Sequence, residues 1–340
     1  MTSTSTSTST STLSISVMVP TYRRPADLKR CLDALRAQAR PADEVLVIAR
    51  PEDDATHRAL ETELSANNPF LLRVIETGLG GQVAALNRGL DAARGDIIAI
   101  TDDDAAPRVD WLAQIDQAFS NDQTLGALGG RDWVFERGAL LDGERSEVGV
   151  IRRTGKICGN HHLGVGAPRT VSLLKGANMI YRRSAVGGLR FDTRLRGKGA
   201  QPCNDLSFSL SVRHTGWKMV YDPRVAVDHF PAERFDDNGR DAQTLGALAD
   251  TAYNLHLVLR EHLGPFARHI AWYWYAAIGT RAMPGFAHAL LALTRTRDTA
   301  CWARYRAMRK GAQDARRDAQ HEPAAYALAM RGRTDGAKAA

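Results

Sequence analysis

The apolar run Ile97-Ile98-Ala99-Ile100 leads into Asp102-Asp103-Asp104, and few folds can accept that junction. Entered from Gly95-Asp96, the run predicts a buried parallel strand, because strands covered on both faces are continuously apolar rather than alternating. Three carboxylates at its C-terminal end put negative charge where open α/β sheets bind ligands. Uncompensated, the cluster repels itself; a hard divalent cation shared with phosphate oxygens relieves the repulsion. Taken alone, the same run also suits a polar loop capping a helix that starts near Arg108. The segments around it decide between these readings.

Strand and helix alternate from Ser14 to Gly130. Ile15–Val19 is apolar and stops at Pro20-Thr21-Tyr22-Arg23-Arg24-Pro25. Pro25 suits a first helical position, and Leu28, Cys31, Leu32 and Leu35 follow at helical spacing. Val45–Ala49 makes a second strand, with a helix over Thr56–Ala66 behind it. Leu71–Ile75 is a third strand, and Gly78-Leu79-Gly80-Gly81 introduces a helix over Gln82–Ala93. After the fourth strand and its aspartates, Trp111–Phe119 is the next helix. This rhythm predicts an α/β fold with a mostly parallel, doubly wound sheet and helices on both faces.

At Val17-Met18-Val19-Pro20-Thr21-Tyr22-Arg23-Arg24-Pro25, Ala85-Leu86-Asn87-Arg88-Gly89-Leu90 and Thr101-Asp102-Asp103-Asp104-Ala105-Ala106-Pro107, the chain resembles the family 2 glycosyltransferases of the GT-A fold. The resemblance continues through Gly176-Ala177-Asn178-Met179, Phe191-Asp192, Asn204-Asp205-Leu206 and Val227-Asp228-His229, covering roughly Ser14 to Phe230. No single piece is decisive; their order and spacing make the joint match specific. It implies a Rossmann-like GT-A domain that transfers a sugar from a nucleotide-diphosphate donor with inversion at the anomeric carbon. The leaving diphosphate develops charge that a bound Mg²⁺ or Mn²⁺ neutralises as a Lewis acid. By resemblance Asp104 ligates the metal, Asp102 and Asp103 contact ribose or metal-bound water, and His229 is the later metal-side ligand. Outside such a pattern, a histidine after a short strand is more often structural. Asp205 matches the general base that must reach the acceptor hydroxyl. It starts a helix over Leu206–His214, whose N-terminus favours its ionised form; a first-turn aspartate that only complements the dipole is the alternative. On the donor side, Pro20 shapes a loop, Tyr22 stacks on the base, Arg23 meets phosphate, and Asn87 falls in a matching segment.

The departures matter equally. The family's base often sits in a Glu-Asp pair, and here Asn204 replaces the Glu, which removes one like charge beside Asp205. The second strand commonly leads into aspartates that read uracil; here it continues Ala49-Arg50-Pro51-Glu52-Asp53-Asp54. Asp53 or Asp54 is the available substitute, and Arg50 is either a phosphate contact or an exposed loop residue. The Gln-x-x-Arg-Trp motif of processive members is absent, which favours single additions. The expected role is synthesis of cell-surface glycan or exopolysaccharide on a glycan or lipid-linked acceptor. A non-catalytic nucleotide-sugar-binding scaffold is the alternative, and joint retention of Asp104, Asp205 and His229 argues against it.

Composition divides the chain. Residues 1–13 are a Ser/Thr repeat without an apolar core, expected to be disordered rather than a secretory signal. Residues 14–235 make the GT-A domain, with a donor half over about 14–130 and an acceptor half over about 131–235. Val134–Ser172 breaks the strand–helix rhythm, and Gly197–Gln201 suits a flexible loop over the site. Cys31, Cys158, Cys203 and Cys301 show no paired spacing, which fits a reducing, cytoplasmic compartment. Cys203 suits an apolar filler and His161-His162 a loop element. The net charge is +7, yet residues 262–340 hold 13 basic and 5 acidic side chains, so the basic excess lies wholly in the C-terminal part of a helical region over 236–340. Its apolar pieces, around Ile270–Ile278 and Phe286–Leu293, are shorter than the roughly 20 residues a spanning helix needs. They suit either a helix pair on the anionic inner face of a membrane or packing on the catalytic domain. No nucleic-acid motif accompanies the basic residues.

Overall fold

A computed structural model describes residues 13–232 and 244–319. The Ser/Thr repeat over 1–12, the boundary predicted near residue 235 and the last residues, 320–340, lie outside them. The chain opens as the rhythm predicts. β1 (Ile15–Pro20), β2 (Glu44–Ala49) and β3 (Leu71–Glu76) run parallel, connected by α1 (Pro25–Arg36) and α2 (Asp54–Ser65). α3 (Gln82–Ala92) then returns the chain to β4 (Ile97–Ile100), which pairs with β1 on its other side. β5 (Ala105–Pro107), α4 (Trp111–Asn121) and the long β6 (Leu125–Glu136) follow.

Beyond β6 the winding becomes irregular. β7 (Ala139–Leu140) folds back on β6, β8 (Val150–Ile151) and β9 (Ile157–Cys158) form a separate ladder, and β10 (Arg169–Thr170) is an edge strand. β11 (Met179–Arg182) inserts between β4 and β6, antiparallel to both. After the short α5 (Arg183–Val186) and α6 (Asn204–His214), β12 (Lys218–His229) pairs parallel with β6. The main sheet order is β10-β12-β6-β11-β4-β1-β2-β3. Helices α7 (Leu245–His262), α8 (Pro265–Ala277), α9 (Phe286–Thr296) and α10 (Thr299–Asp318) complete the described chain.

The strands are continuously apolar because each face meets its own helices. Val17, Val19, Val45, Val47, Ile97 and Ala99 pack against Leu28, Leu32 and Leu35 of α1 and Trp111, Ile115 and Phe119 of α4. The alternate residues Met18, Leu46, Ile48, Ile98 and Ile100 meet Leu86 and Leu90 of α3 and Phe208 and Val212 of α6. Each such large side chain contributes about 1.5–3 kcal/mol through burial. A third cluster joins Leu206 and Leu210 of α6 to Tyr253 and Leu257 of α7 and to Ala271 and Tyr275 of α8. α7 and the inner side of α8 therefore pack on the α/β domain, the second of the two readings of the C-terminal region.

One close approach sets where β12 delivers its end. Between Tyr221 and Ala226 the β12–β6 register shifts, and the Val225 carbonyl crosses above Gly130. A Cβ on Gly130 would lie 1.5 Å from that oxygen. The same carbonyl accepts from Asn178 Nδ2 at 2.8 Å, and Asn178 Oδ1 accepts from the buried Trp111 indole at 3.0 Å. Gly130→Ala should therefore lower stability by about 3 kcal/mol, the upper range for overpacking a core. Gly188→Ala, where a Cβ meets nothing within 4 Å, should change it by under about 0.5 kcal/mol. Denaturant unfolding of the two variants checks this, and equal midpoints would show that β12 does not depend on the Gly130 contact.

Candidate active site

The aspartate triplet sits where β4 runs out of neighbours, and each carboxylate has a different environment. The Thr101 amide donates to Met18 O at 3.1 Å, which carries the strand pairing to the edge of the triplet. Asp103 turns into the protein and is buried. It accepts from Thr21 Oγ1 at 2.9 Å and from the Arg24 guanidinium at 3.0 Å. Burial nevertheless dominates and raises its pKa to about 7. Asp102 is half-buried; burial and the neighbouring Asp104 raise its pKa to about 6.

Asp104 follows the opposite course. Burial opposes its charge, but His229, the Ala232 amide and Arg24 together hold its pKa well below the usual carboxylate range. His229 Nε2 lies 3.2 Å from Asp104 Oδ1, and the Ala232 amide donates to Oδ2 at 2.9 Å. This meeting of residues 125 positions apart is built by backbone pairing. β5 follows the triplet directly and pairs antiparallel with the end of β12, placing His229 opposite Ala105. The Phe230 amide then donates to Asp104 O at 2.8 Å.

Asp102, Asp104 and His229 bring one potential ligand atom each to within 4.8 Å of one another, and among the described residues they form the one such group. Two carboxylates and an imidazole suit Mn²⁺ or Mg²⁺, with the nitrogen favouring Mn²⁺. His229 Nδ1 is buried without a hydrogen-bond partner, so nothing in the protein competes for that side of the ring. His161 and His162 take no part. His161 is buried edge-on against Tyr221 and uses Nε2 on Leu173 O, as a structural loop residue does.

The carboxylates open into a cavity of about 490 Å³, lined on its other sides by Pro20, Tyr22, Arg24, Arg50, Thr77 and Lys198. The Arg50 guanidinium stacks on the Tyr22 ring, 4.1 Å from its centroid. Three residues expected here are elsewhere. Arg23, in a left-handed conformation, is exposed above the outer side of Tyr22, and its neighbour Arg24 is the arginine that faces the carboxylates. The Asp53 carboxylate is buried as the cap of α2, accepting from Thr56 N and Thr56 Oγ1 and from the Arg23 amide. It is thus committed to local structure, as a helix-capping aspartate usually is. Asn87 likewise points away from the cavity and exchanges two hydrogen bonds with the Phe191 backbone, at 2.9 and 2.8 Å.

Asp205 occupies the first turn of α6 and accepts from the Leu206 amide at 2.8 Å. Burial, the largest influence, raises its pKa above the ordinary value despite amide donors from Leu206 and Gly176 and the nearby charge of Lys175. The helix N-terminus alone predicts a stabilised anion; loss of hydration outweighs it. The Asn204 side chain is directed to other partners than the Asp205 carboxylate. Its amide donates to Ala200 O and Gln201 O, holding the 197–201 loop. That loop in turn meets the start of α3, where Gly199 O accepts from the Gln82 amide and Gln201 Oε1 from the Val83 amide. Sequence reasoning also passed over Asp132. Its carboxylate is fully buried on β6 with no hydrogen-bond partner, 3.7 Å from Lys175 Nζ, and it senses both His229 and Asp205. The only sequence signal was the charged pair Arg131-Asp132 following the apolar start of that strand.

Comparison with known proteins bears on the same region. The family model for Glycosyl transferase family 2 matches residues 16–188. Glycosyltransferase AglE of Haloferax volcanii is 34% identical over 97 residues, 28% of this chain and 32% of AglE. The glucosyl-dolichyl phosphate glucuronosyltransferase of the same organism is 25% identical over 151 residues, 42% of this chain and 45% of that protein. The chain thus spans less than half the length of these two curated relatives. Among solved structures, the mannosyltransferase PcManGT from Pyrobaculum calidifontis, in complex with GDP-Man and Mn²⁺, matches with a TM-score of 0.57 at 21% identity, over 90% of this chain and 85% of that one. That likeness is one of fold, and the fold is GT-A with added C-terminal helices.

The raised carboxylates give the cation-free protein an inverted pH dependence. Asp102 and Asp103 bind protons more tightly when folded than at the ordinary value near 3.8. The folded state therefore holds more protons between about pH 4 and pH 7, and stability falls as pH rises through that window. The combined effect is several kcal/mol, since each tenfold rise in proton affinity on folding is worth about 1.4 kcal/mol. Urea unfolding at pH 5 and pH 8 in chelator should show it, and Asp102→Asn/Asp103→Asn should flatten the difference relative to wild type. A profile identical in the two proteins would mean that neither carboxyl is shifted.

Proposed function

The chain belongs to glycosyl transferase family 2, and we propose that it moves a sugar from a nucleotide-diphosphate donor to a glycan or lipid-linked acceptor, with inversion and one sugar at a time. Support comes above all from one cavity in which Asp102, Asp104 and His229 stand beside Arg24, Arg50 and Lys198. Such a mixture of cation ligands and cations suits a diphosphate, which needs both to be held. Held by Asp104 and His229 with Asp102 beside them, Mn²⁺ or Mg²⁺ would neutralise charge on the leaving diphosphate. Arg24 and Lys198 add fixed positive charge, and the guanidinium of Arg50, stacked on Tyr22, presents its own planar face and N–H edge at the base end.

Asp205 is the base in this reading. It takes the proton of the acceptor hydroxyl as that oxygen bonds to the anomeric carbon, while the bond from that carbon to the diphosphate breaks on the opposite face. A carboxylate raised by burial is a stronger proton acceptor than one in water, which suits it to the role. Asp205→Asn keeps the volume and removes the proton acceptor. Turnover should fall by about 10²-fold or more, with donor affinity within a factor of about three. Near-normal turnover in steady-state assays would assign the base to another residue. The dolichyl phosphate in the name of one relative favours a lipid-linked acceptor over a free glycan, as expected for cell-surface polysaccharide assembly.

The base end of the cavity favours some donors over others. Backbone acceptors around the end of β2 are already used: Ile48 O by the Thr21 amide, Ala49 O by the Thr77 amide and Arg50 O by the Asp53 amide. The Arg50 guanidinium offers donors and no acceptor. A base read there presents paired acceptors, as guanine does with O6 and N7 and cytosine with N3 and O2. Calorimetry with GDP, CDP, UDP and ADP, with and without Mn²⁺, should rank GDP or CDP at least about tenfold above UDP and ADP in the presence of Mn²⁺. Binding of none of them would overturn the nucleotide-sugar reading, whereas UDP binding tightest would overturn only the role of Arg50.

A further inference from the structure

α9 carries apolar surface that the fold does not use. Of its apolar residues only Ala289 is fully buried, whereas Phe286, Leu290, Leu291 and Leu293 are exposed, Leu291 by 48%. α8 adds a stripe on its outer side. Phe266 is 81% exposed and Tyr273, two turns on, 64% exposed, while Ala271 and Tyr275 on the inner side are buried. Ile278, just past the end of α8, is also exposed. Scattered exposed apolar residues need no explanation, but a run of this extent on two successive helices does.

The charges around this surface identify what it fits. From Gly264 to Arg297 there is no Asp or Glu, while Arg268, Arg281, Arg295 and Arg297 are all present. Arg281, Arg295 and Arg297 are exposed, and none of them pairs with an acid among the described residues. The nearest acidic group, Asp298, is turned to the Cys301 amide as the cap of α10. Arg309 supports the region from behind, stacked 4.5 Å from the Trp272 ring. No described helix is long and apolar enough to cross a membrane, and α8 and α9 have only 13 and 11 residues.

We propose that the outer faces of α8 and α9 form a monotopic docking surface for an anionic lipid bilayer. Phe266, Tyr273, Phe286, Leu290 and Leu291 enter the boundary between headgroups and acyl chains, and Arg281, Arg295 and Arg297 meet lipid phosphates. Short helices with apolar side chains beside unpaired arginines suit that boundary. A second copy of the chain fits poorly, because a twofold contact through this surface would bring arginines against arginines with no carboxylate between them. The surface is separate from the aspartate cavity, so docking supplies location rather than chemistry.

Sedimentation of the full-length protein with vesicles tests this, using phosphatidylcholine alone and phosphatidylcholine with 30% phosphatidylglycerol. The protein should pellet with the anionic vesicles and much less with the neutral ones. Leu290→Glu/Leu291→Glu, at positions already in water, should keep its thermal midpoint and lose binding about tenfold or more. Arg281→Gln/Arg295→Gln should lose about tenfold on anionic vesicles only, and raising salt on wild type should act in the same direction. Equal pelleting with neutral and anionic vesicles would overturn the anionic assignment. Failure to pellet with either would overturn docking itself, as would size-exclusion evidence that wild type is a dimer and Leu290→Glu/Leu291→Glu a monomer.

Discussion

Negative charge held at the end of β4 is the constraint around which the site is assembled. Three adjacent carboxylates would ordinarily point to water, but here Asp103 and Asp104 are buried. Elements from three regions of the chain offset them. The loop after β1 provides Thr21 and Arg24, the end of β12 provides His229, and the segment beyond it provides the Ala232 amide. The offset is incomplete, since Asp102 and Asp103 still hold protons well above the ordinary carboxylate range. Full compensation would leave no electrostatic reason to take up a cation. The shortfall is what a divalent ion can relieve, which links the free energy of the fold to ligand binding.

The stretch from β1 to α4 was legible in the sequence because its signals are local. Apolar strands, the Pro25 start of α1 and the spacing of Leu28, Cys31, Leu32 and Leu35 all concern residues that touch within one element or the next. The aspartate triplet and His229 were legible as a set through their order along the chain, and β5–β12 pairing supplies the physical reason they meet. The side chains that lie elsewhere than expected are those with two plausible partners. Arg23 and Arg24 are both arginines in one loop, and a left-handed φ of 57° at Arg23 decides which of them faces inward. Asp53 had a helix to cap three residues on, and the local bond prevailed over the distant ligand. Asn87 was drawn to the Phe191 backbone 104 positions away, a pairing that no local pattern contains.

Burial was the least legible quantity, and it reverses the sign of one expectation. Asp205 at a helix start, with Asn204 replacing a like charge, ought to be easily ionised. α6, however, is covered by β11 and α7, and its Leu206, Phe208 and Leu210 are all buried. The helix dipole contributes at most about 2 kcal/mol to a charge at its end, and at the half-buried Asp205 the loss of hydration outweighs it. Which term wins depends on helices 40 residues further along, and no inspection of Asn204-Asp205-Leu206 reveals them.

Those later helices are consequently more than an appendage to the domain. The segment between β11 and α6 contains left-handed residues at Gln201 and Cys203, next to Asp205. Conformations of this kind cost on the order of 1–3 kcal/mol each and persist only where the surroundings hold them. The support comes from α7. Asn254, fully buried, donates to Arg196 O and Pro202 O at 2.8 Å and accepts from the Arg196 amide at 2.7 Å. On either side of it, Arg194 pairs with Glu261 of α7, and Arg196 reaches Asp314 and Asp318 of α10. The inner sides of α7 and α10 thus hold the strained loop that places Asp205, while the outer sides of α8 and α9 stay exposed. The helices of this region are amphipathic in opposite senses, with carboxylates on the side that meets arginines of the domain and none from Gly264 to Arg297, where the apolar side chains are exposed.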